Sequence, residues 1–156
     1  MGEPILTDFG IAKLLGVPAV TLIGSWLGTP YYASPEQARG DPGNERSDIY
    51  SLGVILYEVC TGSLPFQGDT PTSVLMQHVN ATPTLPNAIN PNIPPALTIV
   101  IMRSLAKDPA SRFPTASALA IALAEALNRP VPEGLRSNAV SINVSGEPNY
   151  QGPVQP

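Results

Sequence analysis

The sequence is short of almost everything that reactive chemistry draws on. It holds one cysteine, Cys60, and one histidine, His78. A lone cysteine excludes an internal disulfide. Cys60 lies in the apolar run LGVILYEVC, where a thiol reads as a small buried hydrophobe. His78 falls in a different predicted helix, which argues against a thiol–imidazole pair. One free thiol fits a reducing compartment, and the expected location is cytoplasmic. Charge is scarce as well. Only 13% of residues are Asp, Glu, Lys or Arg, the formal net charge is −4, and no run of like charge occurs. Without a Lys/Arg excess the chain has no electrostatic footprint for a phosphate backbone, so nucleic acid is not an expected partner. No apolar stretch approaches the length of a membrane span. The N-terminus has neither a basic region nor an apolar core for secretion. It begins Met1-Gly2, but Leu6 stands where a myristoylation signal needs Ser or Thr. The sequons at Asn80 and Asn143 carry meaning only in a secreted chain.

What the chain does have is length for one domain, at 156 residues, and 19 prolines and 13 glycines that punctuate it. PILTD and GIAKLL read as short extended pieces, and residues 14–34 as a long loop without a clear period. Loops of that length inside a domain are uncommon and usually functional. Helices follow. SPEQARG gives one or two turns closed by Gly40. SDIYSLGVILYEVCTG is the strongest helical segment, with Ser47 as cap, Asp48 at the positive end of the dipole and Gly62 as stop. Ile49, Leu52, Gly53, Leu56, Val59 and Cys60 share one face, and Val54, Ile55 and Tyr57 make the other apolar too. A helix apolar all round belongs at a domain centre. TPTSVLMQHV carries Thr70 as cap and Pro71 at the first helical position, with Val74, Leu75, His78 and Val79 inward. TPTLPNAINPNIPP is too rich in proline for helix or inner strand. PALTIVIMRSLAKD places Leu97, Val100, Ile101 and Leu105 in register, and Pro109 prevents continuation. TASALAIALAEALNR is the last helix, capped by Thr115 and stopped before Pro130. From 130 onward Pro, Gly, Asn and Ser dominate, the composition of a disordered tail.

Four segments then fall in order: TDFGIAK, GTPYYASPEQARG, SDIYSLGVILYEVCTGSLPF and LAKDPASRFPTA. Together they resemble the activation segment and lower helices of a eukaryotic-type (Hanks-type) Ser/Thr protein kinase, and the SPEQARG wording is most similar to bacterial members. The resemblance implies a mainly α fold: a partial kinase C-lobe over residues 1–128, with residues 129–156 as a disordered tail. It implies that Asp8 ligates the magnesium bridging ATP phosphates, that Phe9 packs inward and that Gly10 permits the backbone turn. Residues 13–32 become an activation loop, ordered when a phosphate gains arginine partners. Thr21 and Ser25 are its candidate phosphosites, with ordinary loop hydroxyls as the plain alternative. Residues 28–32 would form the platform for the substrate residue after the acceptor, with Thr29 near the catalytic base. Trp26 either covers apolar surface or docks a partner. Glu36 and Arg112 would form a buried, architectural ion pair. Ser34 replaces the family's usual Ala. Asp48 would accept hydrogen bonds from the catalytic-loop backbone.

The machinery of phosphoryl transfer is the largest absence. It needs a Gly-rich lid, a Lys clamp with its Glu partner, and a His-Arg-Asp loop with an Asn for metal. In the family these precede Asp-Phe-Gly, yet only seven residues precede Asp8. No G-x-G-x-x-G occurs, and Lys13 and Lys107 match family positions other than the ATP lysine. The expectation is a kinase-derived chain that uses ATP and magnesium by family but is inactive alone. Its expected partners are a protein substrate or another kinase chain. The alternative is a non-catalytic module that binds a kinase or its substrate, through the 25–32 platform and a helix 71–79 surface carrying Met76, Gln77 and His78.

Overall fold

The computed structural model describes residues 30–135. Among them the fold is helical, without strands. A 3-10 turn, Pro30–Tyr32, leads into α1 (Pro35–Ala38). Then come α2 (Glu45–Thr61), α3 (Pro71–Asn80), α4 (Pro86–Ile89) and α5 (Pro95–Ser104). A second 3-10 turn, Pro109–Ser111, precedes α6 (Ala116–Ala126).

Local chemistry starts and stops most of these elements. Ser34 and Gln37 form a reciprocal capping box on α1, and Gly40 follows the helix at φ 91°. Thr70 caps α3, with Pro71 at its first position, and Thr115 caps α6. Gly62 ends α2 in the left-handed conformation, φ 74°, where a Cβ would be strained. The start of α2 differs from the sequence reading. Asn44, not Ser47, is the cap: its side chain accepts from the Arg46 and Ser47 amides, and the Ser47 hydroxyl accepts from the Asn44 amide. Asn44 holds two amides, so the helix begins two residues before the expected Ser47 cap. The proline-rich stretch also contains a short helix, α4, with Pro86 at its first position, where the missing N–H costs nothing.

The core forms where α2 packs on α5 and α5 on α6, with Ile49, Val54, Tyr57, Leu97, Ile101, Leu105, Phe113 and Leu119 buried together. Each such side chain contributes roughly 1.5–3 kcal/mol on leaving water. The inner face of α2 is rotated from the one its periodicity gave. Ile49, Tyr50, Gly53, Val54 and Tyr57 are buried, whereas Leu52 and Val59 are exposed. The two tyrosines decide the rotation, because their hydroxyls find inner partners: Tyr50 with His78 Nδ1 at 2.9 Å, and Tyr57 with the Thr84 carbonyl at 3.0 Å. Cys60 is half-buried against the core, and burial raises its thiol pKa. α2 and α5 cross closely at Gly53, where a Cβ would lie 2.7 Å from the Ser104 Cβ.

Candidate functional site

A buried polar cluster gathers around Arg112, at the end of the second 3-10 turn. Its guanidinium is fully buried and meets Glu36 of α1 through two parallel bonds, Nη1–Oε1 and Nη2–Oε2, each 2.8 Å. The remaining donors are also used. Nε donates to the Ala106 carbonyl at 2.8 Å, Nη1 to that of Arg46 at 2.9 Å and Nη2 to that of Lys107 at 3.1 Å. The Ser47 hydroxyl donates to Glu36 Oε1 at 2.6 Å. Burial alone would raise the Glu36 carboxyl. The bonds from Arg112 and Ser47 outweigh it and hold the group at about 2. Arg112 also lies over the Tyr50 ring, 4.9 Å from its centre. The ion pair thus joins α1, the start of α2 and the turn before α6.

A second polar group surrounds His78, which is fully buried in α3. Its ring meets Phe66 edge-on at 4.9 Å and Tyr50 at 5.6 Å. The sequence reading left this side chain free to face outward as well as inward. The structure turns it in, while Met76 of the same helix is 55% exposed. Burial, and then the nearby Lys107 ammonium, depress the imidazole to about 4. Lys107 donates to the carbonyls of His78 at 2.7 Å and Gln77 at 3.4 Å, capping the end of α3, and its ammonium sits 4.4 Å from the Phe66 ring centre. Burial lowers this amine to about 8, with Arg112 and Arg39 adding to the shift.

The 3-10 turn Pro30–Tyr32 packs on both α2 and α3. The Tyr32 hydroxyl donates to Glu58 Oε2 at 2.8 Å, and its carbonyl accepts from the Ser51 hydroxyl at 2.8 Å. Beside it opens a cavity of ≈ 570 Å³, lined by Tyr31, Glu58, Leu64, Gln67 and Asp69 among others. Its lining is polar and carries two carboxylates, Glu58 and Asp69.

Asp48 lies on the exposed side of α2 with no side-chain partner among the described residues. Leu52, Ile55 and Val59 continue that side at helical spacing and are 41%, 44% and 77% exposed. Asp8, Phe9, Gly10, Thr21, Ser25, Trp26 and Thr29 lie outside the described residues. Among the described residues no group of three His, Cys, Asp or Glu side chains is placed to hold a metal ion, and no helix is long and apolar enough to cross a membrane. Sequence reasoning did not find the Tyr32–Glu58 bond, the Tyr50–His78 bond or the Lys107 cap. Each joins residues distant in sequence through ordinary polar side chains. The one local signal was Ser34-x-x-Gln37, the spacing of a capping box.

Comparison with known proteins gives these clusters a context. Residues 2–123 match the family model described as the protein kinase domain. Serine/threonine-protein kinase PknB of Mycobacterium tuberculosis (strain H37Rv) is 41% identical over 152 residues, covering 94% of this chain and 24% of that protein. Serine/threonine-protein kinase PrkC of Bacillus subtilis is 41% identical over 116 residues, covering 74% of this chain and 18% of its own length. PknB of Mycolicibacterium smegmatis is 46% identical over 112 residues, covering 70% and 18% respectively. The chain therefore spans about a quarter or less of the length of these curated relatives. Family membership implies general use of ATP and magnesium. The chain belongs to the protein kinase domain family, with bacterial serine/threonine kinases as its relatives.

Proposed function

We propose that this chain supplies the activation segment and lower helices of a serine/threonine protein kinase, and that phosphate transfer to a protein hydroxyl requires further kinase elements. These 156 residues contain no Gly-rich loop and no His-Arg-Asp sequence. The missing groups would come from the same polypeptide or from a second one. The observation that carries this reading is the open side of α2: an unpartnered carboxylate, Asp48, in line with exposed Leu52, Ile55 and Val59. A central helix with a bare apolar stripe is a surface made to be covered.

In the assembled enzyme Asp8 would hold magnesium, with Phe9 and Gly10 setting the geometry around it. The chemistry supplied there would be positive charge to offset the ATP phosphates. Thr29 would stand near the base, Thr21 or Ser25 would take the activating phosphate, and Asp48 would hold the catalytic-loop backbone. Glu36 and Arg112 would fix the end of the activation segment to the last helices. Residues 1–128 would form the kinase part and 129–156 the tail, in the cytoplasm. The test is phosphate transfer from ATP to a protein substrate by the chain alone, and after co-expression with a kinase segment that carries the Gly-rich loop and His-Arg-Asp. Silence alone and activity together are expected. Activity by the chain alone, or failure of the two to associate, would sink the proposal. A second reading, a non-catalytic binding module, draws on the same open stripe and on exposed Met76. A stable monomer that binds a kinase without ever supporting transfer would favour it.

A further inference from the structure

His78 is an expensive residue for its place. It is wholly buried in α3, yet only Nδ1 has a partner, the Tyr50 hydroxyl at 2.9 Å, and Nε2 has none. A leucine would remove that orphan nitrogen but strand the buried Tyr50 hydroxyl, so a pair kept at the cost of one unpaired atom calls for an explanation. Its surroundings provide one. The turn Pro30–Tyr32 sits on α2 and α3 together. On the α2 side it is tied by Tyr32 to Glu58 and Ser51. On the α3 side the turn packs against the helix that carries His78, and the Tyr31 backbone lies near the ring, favouring its protonated form. Tyr31 in turn forms one wall of the acidic cavity.

We infer that His78 is a positioning residue for the Pro30–Tyr32 turn, setting the height of Tyr31 over α3 through its own anchorage to Tyr50. The inference rests on the reading of this turn as the platform that meets a protein substrate. The imidazole is the spacer: Tyr50 fixes one edge, Phe66 packs against the ring at 71°, and Lys107 holds the backbone of the same residue. Loss of the Tyr50 bond frees the ring to turn, and the turn above it loses its floor on one side only.

Amide hydrogen exchange on the full chain tests this, comparing native protein with His78→Phe, Tyr50→Phe and His78→Asn. His78→Phe keeps an aromatic ring and removes the orphan nitrogen, while an Asn amide reaches the Nδ1 position. In His78→Phe and Tyr50→Phe, exchange of amides 31–34 should rise about tenfold while α5 and α6 keep their native protection. His78→Asn, which keeps a partner for Tyr50 but lacks the ring that spaces the turn, should leave exchange at 31–34 raised. Unchanged exchange at 31–34, or a uniform rise through α5 and α6, would overturn the inference. If His78→Phe does not fold, Tyr50→Phe, which removes a single oxygen, decides the matter by the same two outcomes. In the complemented kinase, Tyr50→Phe should raise the KM for a peptide substrate several-fold and leave kcat near native. An inactive complemented kinase would count against the proposed function, while the exchange pattern alone would still decide the role of His78.

Discussion

Two sides of α2 stand in contrast. Toward α1 and the turn before α6, its first residues enter a buried network in which Arg112 has five protein acceptors for its hydrogen bonds. On the opposite side Asp48, Leu52, Ile55 and Val59 face solvent. The closed side shows that a charged pair can be buried when geometry satisfies both ions, since the desolvation cost is then matched by short, parallel bonds. The open side shows a stripe of the same helix that the described residues leave uncovered. The first looks finished and the second does not, and the comparison can be broken from either end.

The largest effect is expected at the closed side. Glu36→Ala or Arg112→Ala strands a buried charge and should cost on the order of 3–5 kcal/mol in urea unfolding. A loss below about 1 kcal/mol would mean that the pair is solvated after all.

Acid attacks the same side in two stages. The His78 imidazole is depressed to about 4 when folded, against an ordinary 6.5. Above 6.5 it is neutral in both states and the fold is fully favoured. As pH falls from 6.5 toward 4 only the unfolded chain takes the proton, so stability falls, by on the order of 3 kcal/mol in total. Glu36 then adds a second decline from about 4.5 toward 2, because its carboxylate is held ionised in the fold. Unfolding midpoints should hold near pH 7 and fall from about pH 6.5 down to pH 3, and His78→Phe should flatten the upper part of that slope.

A third prediction probes the helix crossing beneath both sides. Gly53→Ala places a methyl 2.7 Å from the Ser104 Cβ and 3.2 Å from the Ser104 carbonyl carbon. A backbone neighbour yields poorly, so α2 and α5 must part, at about 1–3 kcal/mol in thermal or urea unfolding.

The smallest effect on stability belongs to the open side. Leu52→Ser and Ile55→Ser should change the stability of this chain by no more than about 0.5 kcal/mol. In the complemented kinase the same changes should abolish or sharply weaken phosphate transfer. If they unfold the isolated chain instead, the stripe is already in use and the contrast disappears.

Much of this fold was legible in short signals. Thr70-Pro71, Thr115, Gly40 and Gly62 mark helix ends by chemistry that needs no distant partner, and the structure has them there. The buried set Leu97, Val100, Ile101 and Leu105 also follows its period. The rotation of α2 was not legible, because a helix apolar on every side gives periodicity no contrast to read. What turned it was the hydroxyls of Tyr50 and Tyr57, whose partners lie 28 and 27 residues away. The cap at Asn44 was missed because Ser47, also a good cap residue, stood at the third helical position and served another role. The Glu36–Arg112 contact came into view only through family resemblance, since nothing local links two residues 76 apart.

That separation has a consequence for how the chain is made. Glu36 leaves the ribosome 76 residues ahead of Arg112, so its carboxylate must wait in water while α2 to α5 emerge. Closing a loop of that length carries an entropic cost that local helix formation does not. The pair therefore completes the fold instead of nucleating it. Until residue 112 is made, α1 lacks its tether to the turn before α6.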